Sequence, residues 1–251
     1  MADTINGKVV WHDLSTNDVD AAAKFYSELV GWTFTDLDMG ELGKYKMIKA
    51  GDKDIGGIIN PEDYKGSFWL GYISSEDVDA AVERAKQMGG KLLYGPVDVP
   101  NEGRFAIIAD AQDAVFAVYK SVNPIPEDAE PKVGEFCWDE LMTTDPEAAK
   151  GFYKEIFNWD YREMEMSGAE TYTICKRGDV EAGGLMKLPP NVPAPPHWMA
   201  YILVSDLDAT TKRVAELGGN VLLQPTDVPD MGRFSVIQDP TGGVISLWFK
   251  L

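Results

Sequence analysis

Histidine and cysteine are scarce in this chain, two of each in 251 residues. Cys137 and Cys175 show no metal-type or redox-type spacing, which argues against a zinc knuckle, a dithiol redox site and a disulfide framework. Cys137 falls in a strand-like stretch and reads as a small buried residue. Free thiols suit a reducing compartment. Basic residues are few as well: 23 Lys and Arg stand against 41 Asp and Glu, a net charge of −18. Such a surface repels phosphate backbones and anionic lipid, so neither nucleic acid nor a membrane is an expected partner. It suits a soluble protein, or one that attracts a cationic ligand. The longest plain apolar run, about Met199–Val204, is far short of a membrane span. Met1–Asn6 has neither a basic start nor an apolar stretch, so no export signal is expected and the cytoplasm is the expected location. A Gly-x-Ser-x-Gly elbow, a phosphate-cradling glycine loop and a dinucleotide fingerprint are all missing.

What the chain does have is a repeat. Val9-Val10-Trp11-His12-Asp13-Leu14 returns as Phe136-Cys137-Trp138-Asp139-Glu140-Leu141, 127 residues on. Phe25-Tyr26, Trp32, Gly51-Asp52 and Gly56-Gly57 return at the same spacing. After a net insertion of two, Trp69, Gly89-Gly90, Asp98-Val99-Pro100 and Gly103-Arg104-Phe105 return 129 residues on. So many matches in register mark a tandem duplication. Copy one is 1–122 and copy two 134–251, joined by a linker over 123–133 with three prolines and three acids.

Each copy reads as two βαβββ units. In the first, Val9–Ser15 is strand-like, Thr16-Asn17-Asp18 can cap a helix, and Ala22, Phe25, Tyr26 and Leu29 mark one helical face. Gly31 closes that helix, and short strand candidates follow at Trp32–Thr35, Tyr45–Lys49 and Ile55–Ile59. In the second, Phe68–Ser74 precedes a helix opened by Ser75-Glu76-Asp77 and closed by Gly89-Gly90, then Lys91–Tyr94, Arg104–Ala109 and Val115–Tyr119. An Asp-Val-Pro turn is expected before Arg104. Copy two gives helices at about 145–157 and 206–217 and a last strand at Val244–Phe249. The fold class is α+β, with helices packed on one face of mixed, curved sheets.

The order strand, Phe-Tyr helix and Gly-Trp over 14–32, with Asn-Trp at 158–159, Met-Gly-Gly at 88–90, Leu-Gly-Gly at 217–219 and Gly-Arg-Phe followed by Asp110 or by Asp239-Pro240-Thr241-Gly242, resembles the vicinal oxygen chelate superfamily. That family includes glyoxalase I, bleomycin-resistance proteins and extradiol dioxygenases. The resemblance implies two glyoxalase-like domains whose units curl round a concave pocket. In active members it also implies a divalent metal held by His/Glu-type ligands. Those positions fall on Trp11, Gly57, Leu70 and Ala117 in copy one and on Trp138, Gly184, Met199 and Ser246 in copy two, none of them a ligand of the required kind. His12 is one residue off and is turned to the opposite strand face. His197 lacks convergent partners. No metal site and no cofactor are therefore expected.

Strand parity puts Trp11, Asp13, Tyr72 and Tyr119 on the pocket face of copy one, and Trp138, Glu140, Tyr201 and Trp248 on that of copy two. Aromatic walls with few polar groups suit a planar or apolar small molecule, and a Trp face with a carboxylate suits a cationic one. Asp13 and Glu140 must meet solvent, an arginine or a ligand. Arg104 and Arg233 are the expected partners, each read first as a structural ion pair and second as a ligand anchor. The Gly56-Gly57 and Gly183-Gly184 pairs lie in strands, where close backbone approach is the usual cause. The expected function is a metal-free small-molecule binding protein, as a monomer or homodimer. The alternative is a metal-dependent lyase or dioxygenase with displaced ligands, so catalysis stays open.

Overall fold

The computed structural model describes residues 5–40, 43–61, 65–165 and 171–251. Met1–Thr4, on which the reading of the N-terminus partly rests, lies outside them. Copy one runs β1 (Val9–Ser15), α1 (Val19–Val30), β2 (Thr33–Asp38), β3 (Lys44–Ala50), β4 (Lys53–Ile59), β5 (Phe68–Ser74), α2 (Val78–Gln87), β6 (Lys91–Val99), β7 (Gly103–Ala109) and β8 (Val115–Ser121). Copy two repeats it as β9 (Phe136–Thr143), α3 (Pro146–Phe157), β10 (Asp160–Glu165), β11 (Thr171–Arg177), β12 (Val180–Lys187), β13 (His197–Leu203), α4 (Leu207–Glu216), β14 (Asn220–Val228), β15 (Gly232–Gln238) and β16 (Val244–Lys250). This is the expected α+β duplication of four βαβββ units. The two mixed sheets have the strand orders β2-β3-β4-β1-β5-β8-β7-β6 and β10-β11-β12-β9-β13-β16-β15-β14. Among the described residues, no helix is long and apolar enough to cross a membrane.

One local device starts every helix. Asp18, Asp77, Asp145 and Asp206 each accept a hydrogen bond from the backbone N–H of an alanine three residues on, at 2.9–3.1 Å. The carboxylate satisfies an N–H that the helix itself cannot use and lies at the positive end of its dipole. Asp20, Asp79, Glu147 and Asp208 add first-turn acids. Part of the net negative charge is thus helix-initiating. The turn expected at Asp98-Val99-Pro100 lies later. Asp98-Val99 and Asp227-Val228 end β6 and β14, because each Asp sits opposite Arg104 or Arg233 in the strand register.

The chain divides into two compact units. The first holds the described residues of Met1–Val10, Gly71–Asp128 and Asp139–Trp198; the second holds those of Trp11–Leu70, Ala129–Trp138 and Met199–Leu251. Each unit therefore combines one βαβββ module from each copy. In the second unit, α1 and α4 pack with the inner faces of β1, β3, β4 and β13–β16 around Leu14, Phe25, Tyr26, Trp32, Ile202 and Leu247. In the first unit, the core gathers α2 and α3 with Ile73, Phe116, Leu141, Phe152, Tyr153 and Trp159. Rings of this size bury about 150–250 Å² each. At about 25 cal/mol per Å², each contributes roughly 4–6 kcal/mol before chain entropy is counted.

A buried polar chain threads each core. In the second unit the Trp69 indole donates to Tyr26 Oη at 3.0 Å, Tyr26 donates to Asp239 Oδ2 at 3.0 Å, and the Trp32 indole donates to the Gly134 carbonyl at 2.6 Å. In the first unit Trp198 donates to Tyr153, Tyr153 to Asp110 Oδ2 and Trp159 to the Gly7 carbonyl, each at 3.0 Å. Asp239 and Asp110 also hold their own turns, accepting from Thr241 and Gly243 or from Gln112 and Ala114. Burial, with the neighbouring carboxylate second, holds both tyrosines well above the usual phenol range. Cys137 is half-buried, against expectation, and its thiol donates to the Tyr201 carbonyl at 3.4 Å. Cys175 is the buried cysteine, its thiol pushed up to about 12 by burial.

Candidate functional site

The strand faces turned away from the helices carry the candidate site, and β1 shows the parity most directly. Leu14 is in the core, and His12 stacks on Phe136 at 3.9 Å among the second-unit aromatics. Trp11 and Asp13 share the other face. The Trp11 indole N–H lies 3.0 Å from Asp13 Oδ1 and 2.7 Å from Tyr45 Oη, and the Tyr45 hydroxyl donates to the same Asp13 oxygen at 2.6 Å. Asp13 is 5% exposed. Two hydrogen bonds to its charged form are what a buried carboxylate requires. Both glycines of the β4 pair serve this corner. A Cβ on Gly56 would stand 2.2 Å from the His12 carbonyl oxygen, and one on Gly57 would stand 2.0 Å from the Tyr45 ring. Gly57 is also the register partner of Asp13. The Tyr45 ring thus lies where a side chain at 57 would project.

The second unit has another aromatic face, on β13, β15 and β16. The Tyr201 ring lies 6.2 Å from Phe234 and 6.5 Å from Trp248. The first unit has the equivalent on β5, β7 and β8, with Tyr72 5.8 Å from Phe105 and 6.3 Å from Tyr119, and Tyr94 5.9 Å from Phe105. Glu140 is buried in the first unit, with Gly184 of β12 as its register partner, and Trp138 is a half-buried residue of the second unit.

The arginines require a correction. Arg104 bonds both carboxylate oxygens of Asp79 at 2.9 Å and Asp98 at 2.9 Å, while Arg233 bonds Asp208 at 2.6 Å and Asp227 at 2.7 Å. They do not pair with Asp13 or Glu140. Alternation is the reason: Arg104 shares its strand face with Ala106 and Ile108, which pack in the core with α2. The guanidinium therefore meets the first-turn acid of α2, and it holds Asp79 below the usual carboxylate range. The expected structural ion pair exists, with other partners.

Three ring positions escaped the sequence reading: Tyr45, Phe105 and Phe234. Signals for them were present. Tyr45 recurs as Tyr172 at the 127-residue spacing, and Phe105 and Phe234 directly follow the arginines that face the helices. His197 is half-buried, with Nδ1 2.7 Å from the Pro195 carbonyl oxygen.

The positions at which the family resemblance places metal ligands present an indole committed to Asp13, a glycine without side chain, the core residue Leu70 and Ala117. In copy two they present Trp138, Gly184, Met199 and the hydroxyl of Ser246. That donor set does not fit a divalent cation. Among the described residues, no group of three or more His, Cys, Asp or Glu is placed to hold a metal ion.

Known proteins resemble the chain over nearly its full length. CFP32 of Mycobacterium tuberculosis (strain CDC 1551 / Oshkosh), provisionally named a glyoxylase, is 34% identical over 242 residues, covering 94% of this chain and 92% of the relative. The anthracycline biosynthesis protein DnrV of Streptomyces peucetius is 31% identical over 258 residues, covering 96% and 92%. In fold, the chain is similar to the Mn(II)-bound glyoxalase of Novosphingobium aromaticivorans, with a TM-score of 0.66 at 16% identity, covering 99% of this chain and 83% of that one. The family model described as Glyoxalase/Bleomycin resistance protein/Dioxygenase superfamily matches residues 8–117 and 136–247. With both copies matched, the chain belongs to the glyoxalase/bleomycin resistance protein/dioxygenase superfamily.

Proposed function

We propose that this chain is a cytoplasmic small-molecule binding protein of the glyoxalase/bleomycin-resistance type, which takes an aromatic or amphipathic ligand on its aromatic strand faces without the family's metal. The Trp11–Asp13–Tyr45 network carries the proposal. It sets a hydrogen-bonded carboxylate and a phenol beside an indole, which is the lining expected for a planar ligand with one polar or cationic group. Tyr72 and Tyr119, and Tyr201 and Trp248, supply stacking surfaces, where each ring contact adds about 0.5–1.5 kcal/mol beyond burial. Glu140 and Trp138 repeat the acid and indole in copy two. The name of the relative DnrV, which places that protein in anthracycline biosynthesis, supports a planar aromatic ligand. The net charge of −18 favours cationic members of that class.

Titration with a panel of planar neutral and cationic dyes, read by quenching of Trp fluorescence, tests the proposal. Saturable quenching is expected. Asp13→Asn should weaken cationic dyes about tenfold or more, the loss of a charge-assisted contact. Gly57→Ala should weaken binding by displacing Tyr45. Absence of quenching across the panel, or a stoichiometric divalent metal removable by EDTA, would overturn the proposal. The metal would point to the lyase or dioxygenase alternative.

A further inference from the structure

The two aromatic faces carry similar rings at their centres and different residues at their rims. In the first unit, Tyr94 of β6 lies opposite Ile107, which shares a strand face with Phe105, and the Tyr94 ring is 5.9 Å from that of Phe105. In the second unit Leu223 of β14 holds the same place, opposite Val236, which shares a face with Phe234. β6 and β14 are the end strands of their sheets, so among the described residues no further strand flanks either rim. Tyr94 is 48% exposed and Leu223 39%. The turn after each end strand differs in the same sense. Glu102 is exposed and stands beside Tyr119, whose hydroxyl donates to the Glu102 carbonyl oxygen at 2.8 Å. Burial chiefly, with the Glu102 charge adding to it, holds that phenol above its usual range. The counterpart of Glu102 is Met231, 42% exposed, and the next residue is Gly232, where a Cβ would stand 2.7 Å from the Trp248 ring.

Phe105 and Tyr119, and likewise Phe234 and Trp248, are partly open to solvent, so a planar molecule can be laid on either face from outside. At the first rim it meets a phenol ring and a carboxylate, and both attract positive charge. At the second it meets an isobutyl group and a thioether, which offer apolar and polarisable contact but no opposite charge. Trp248 attracts a cation at least as well as Tyr119 does. The difference in charge preference therefore lies in the rims and not in the central rings.

We infer that Tyr94 and Glu102 are specificity-determining residues that make the first-unit face selective for planar organic cations, whereas Leu223 and Met231 make the second-unit face selective for neutral planar molecules. The inference rests on the binding reading above and names the ligand class that each face selects.

A matched pair of probes separates the two claims. N-methylquinolinium and methylnaphthalene are planar two-ring molecules of nearly equal size that differ by one positive charge. Their binding is measured by equilibrium dialysis on the full chain carrying Asp13→Asn, which takes away the cation contact proposed beside Trp11, and on two rim swaps of that chain. Each swap installs the residues that the other copy already holds at those places, so the fold has accommodated them once. Tyr94→Leu with Glu102→Met should weaken N-methylquinolinium about 5- to 20-fold relative to methylnaphthalene, the range of a cation–π contact together with one partly screened opposite charge. Leu223→Tyr with Met231→Glu should raise the N-methylquinolinium bound at saturation from one to two per chain. If both molecules bind and either swap leaves its reading unchanged, the rim assignment is overturned and the binding reading stands. If neither molecule binds this chain or the parent, both claims fall.

Discussion

The second unit stacks His12 on Phe136, and Phe136 in turn contacts Trp32 and Trp69 at 5.5 Å. In the first unit those two places hold Asp139 and Val9, and a small cavity is lined by Val9, Asp139, Ile73, Phe116 and Trp198. The first unit recovers ring volume elsewhere. Phe157 and Phe116 pack on Tyr153 at 6.4 and 5.3 Å, where the second unit has Val30 and Ile245. The Trp–Tyr–Asp hydrogen-bond chain is the same in both. Apolar filler tolerates exchange provided that volume is kept. A buried polar chain does not, because each member left unpaired costs its full desolvation.

That comparison can be broken most forcefully at the indoles. Trp32→Ala and Trp159→Ala should each destabilise by about 3–5 kcal/mol in urea or guanidinium unfolding, and by similar amounts. A difference of more than about 2 kcal/mol would show that the two cores do not hold these indoles, bonded to the Gly134 and Gly7 carbonyls, equivalently. Smaller effects are expected at the strand glycines. A Cβ on Gly56 would lie 2.2 Å from the His12 carbonyl oxygen, whereas one on Gly183 would lie 2.8 Å from that of Asp139. Gly56→Ala should cost about 2–3 kcal/mol through overpacking, and Gly183→Ala a similar amount, because a φ of +156° adds backbone strain to its milder clash; a cost below about 1 kcal/mol at either position would contradict the geometry.

The smallest effect concerns pH. Burial holds the Asp110 carboxyl above the usual carboxylate range. The folded chain thus keeps this proton to higher pH than the unfolded chain, whose value is about 3.9. The stabilisation from the protonated group is complete below that unfolded value and is lost as pH rises through the folded one. Asp110→Asn does not titrate, so the parent's stability relative to this variant should improve as pH falls from 7 towards 4. Asp239→Asn, measured in parallel, gives the second unit's side of the comparison. A parent-to-variant difference that is flat with pH would count against the burial argument.

Much of the fold could be read from the residues. The four helices begin at Asp because an Asp side chain can bond the N–H three residues on, a local interaction that needs no knowledge of the rest of the chain. The common face of Trp11 and Asp13 followed from a strand period of two, and their hydrogen bond bears it out. Gly56-Gly57 announced a close approach, and the approaching groups are the His12 carbonyl and the Tyr45 ring. The role of Arg104 was half legible. That it would pair with a carboxylate follows from its charge, but which carboxylate depended on the strand face, and a one-residue alternation sent it to Asp79 and Asp98. Tyr45 was missed because its partner Asp13 is 32 residues away on another strand.

By itself, the sequence determined the duplication, the order of elements in each βαβββ module, the helix starts and the superfamily. All of these rest on periodicity, local hydrogen bonding or motif spacing. Tertiary structure alone decided that each compact unit draws one module from each copy, with Tyr26 reaching Asp239 and Tyr153 reaching Asp110. It also decided that Tyr45 closes over Asp13. Those outcomes depend on which buried surfaces meet over long separations, and a repeat with two near-identical halves specifies the surfaces without saying which half each will meet.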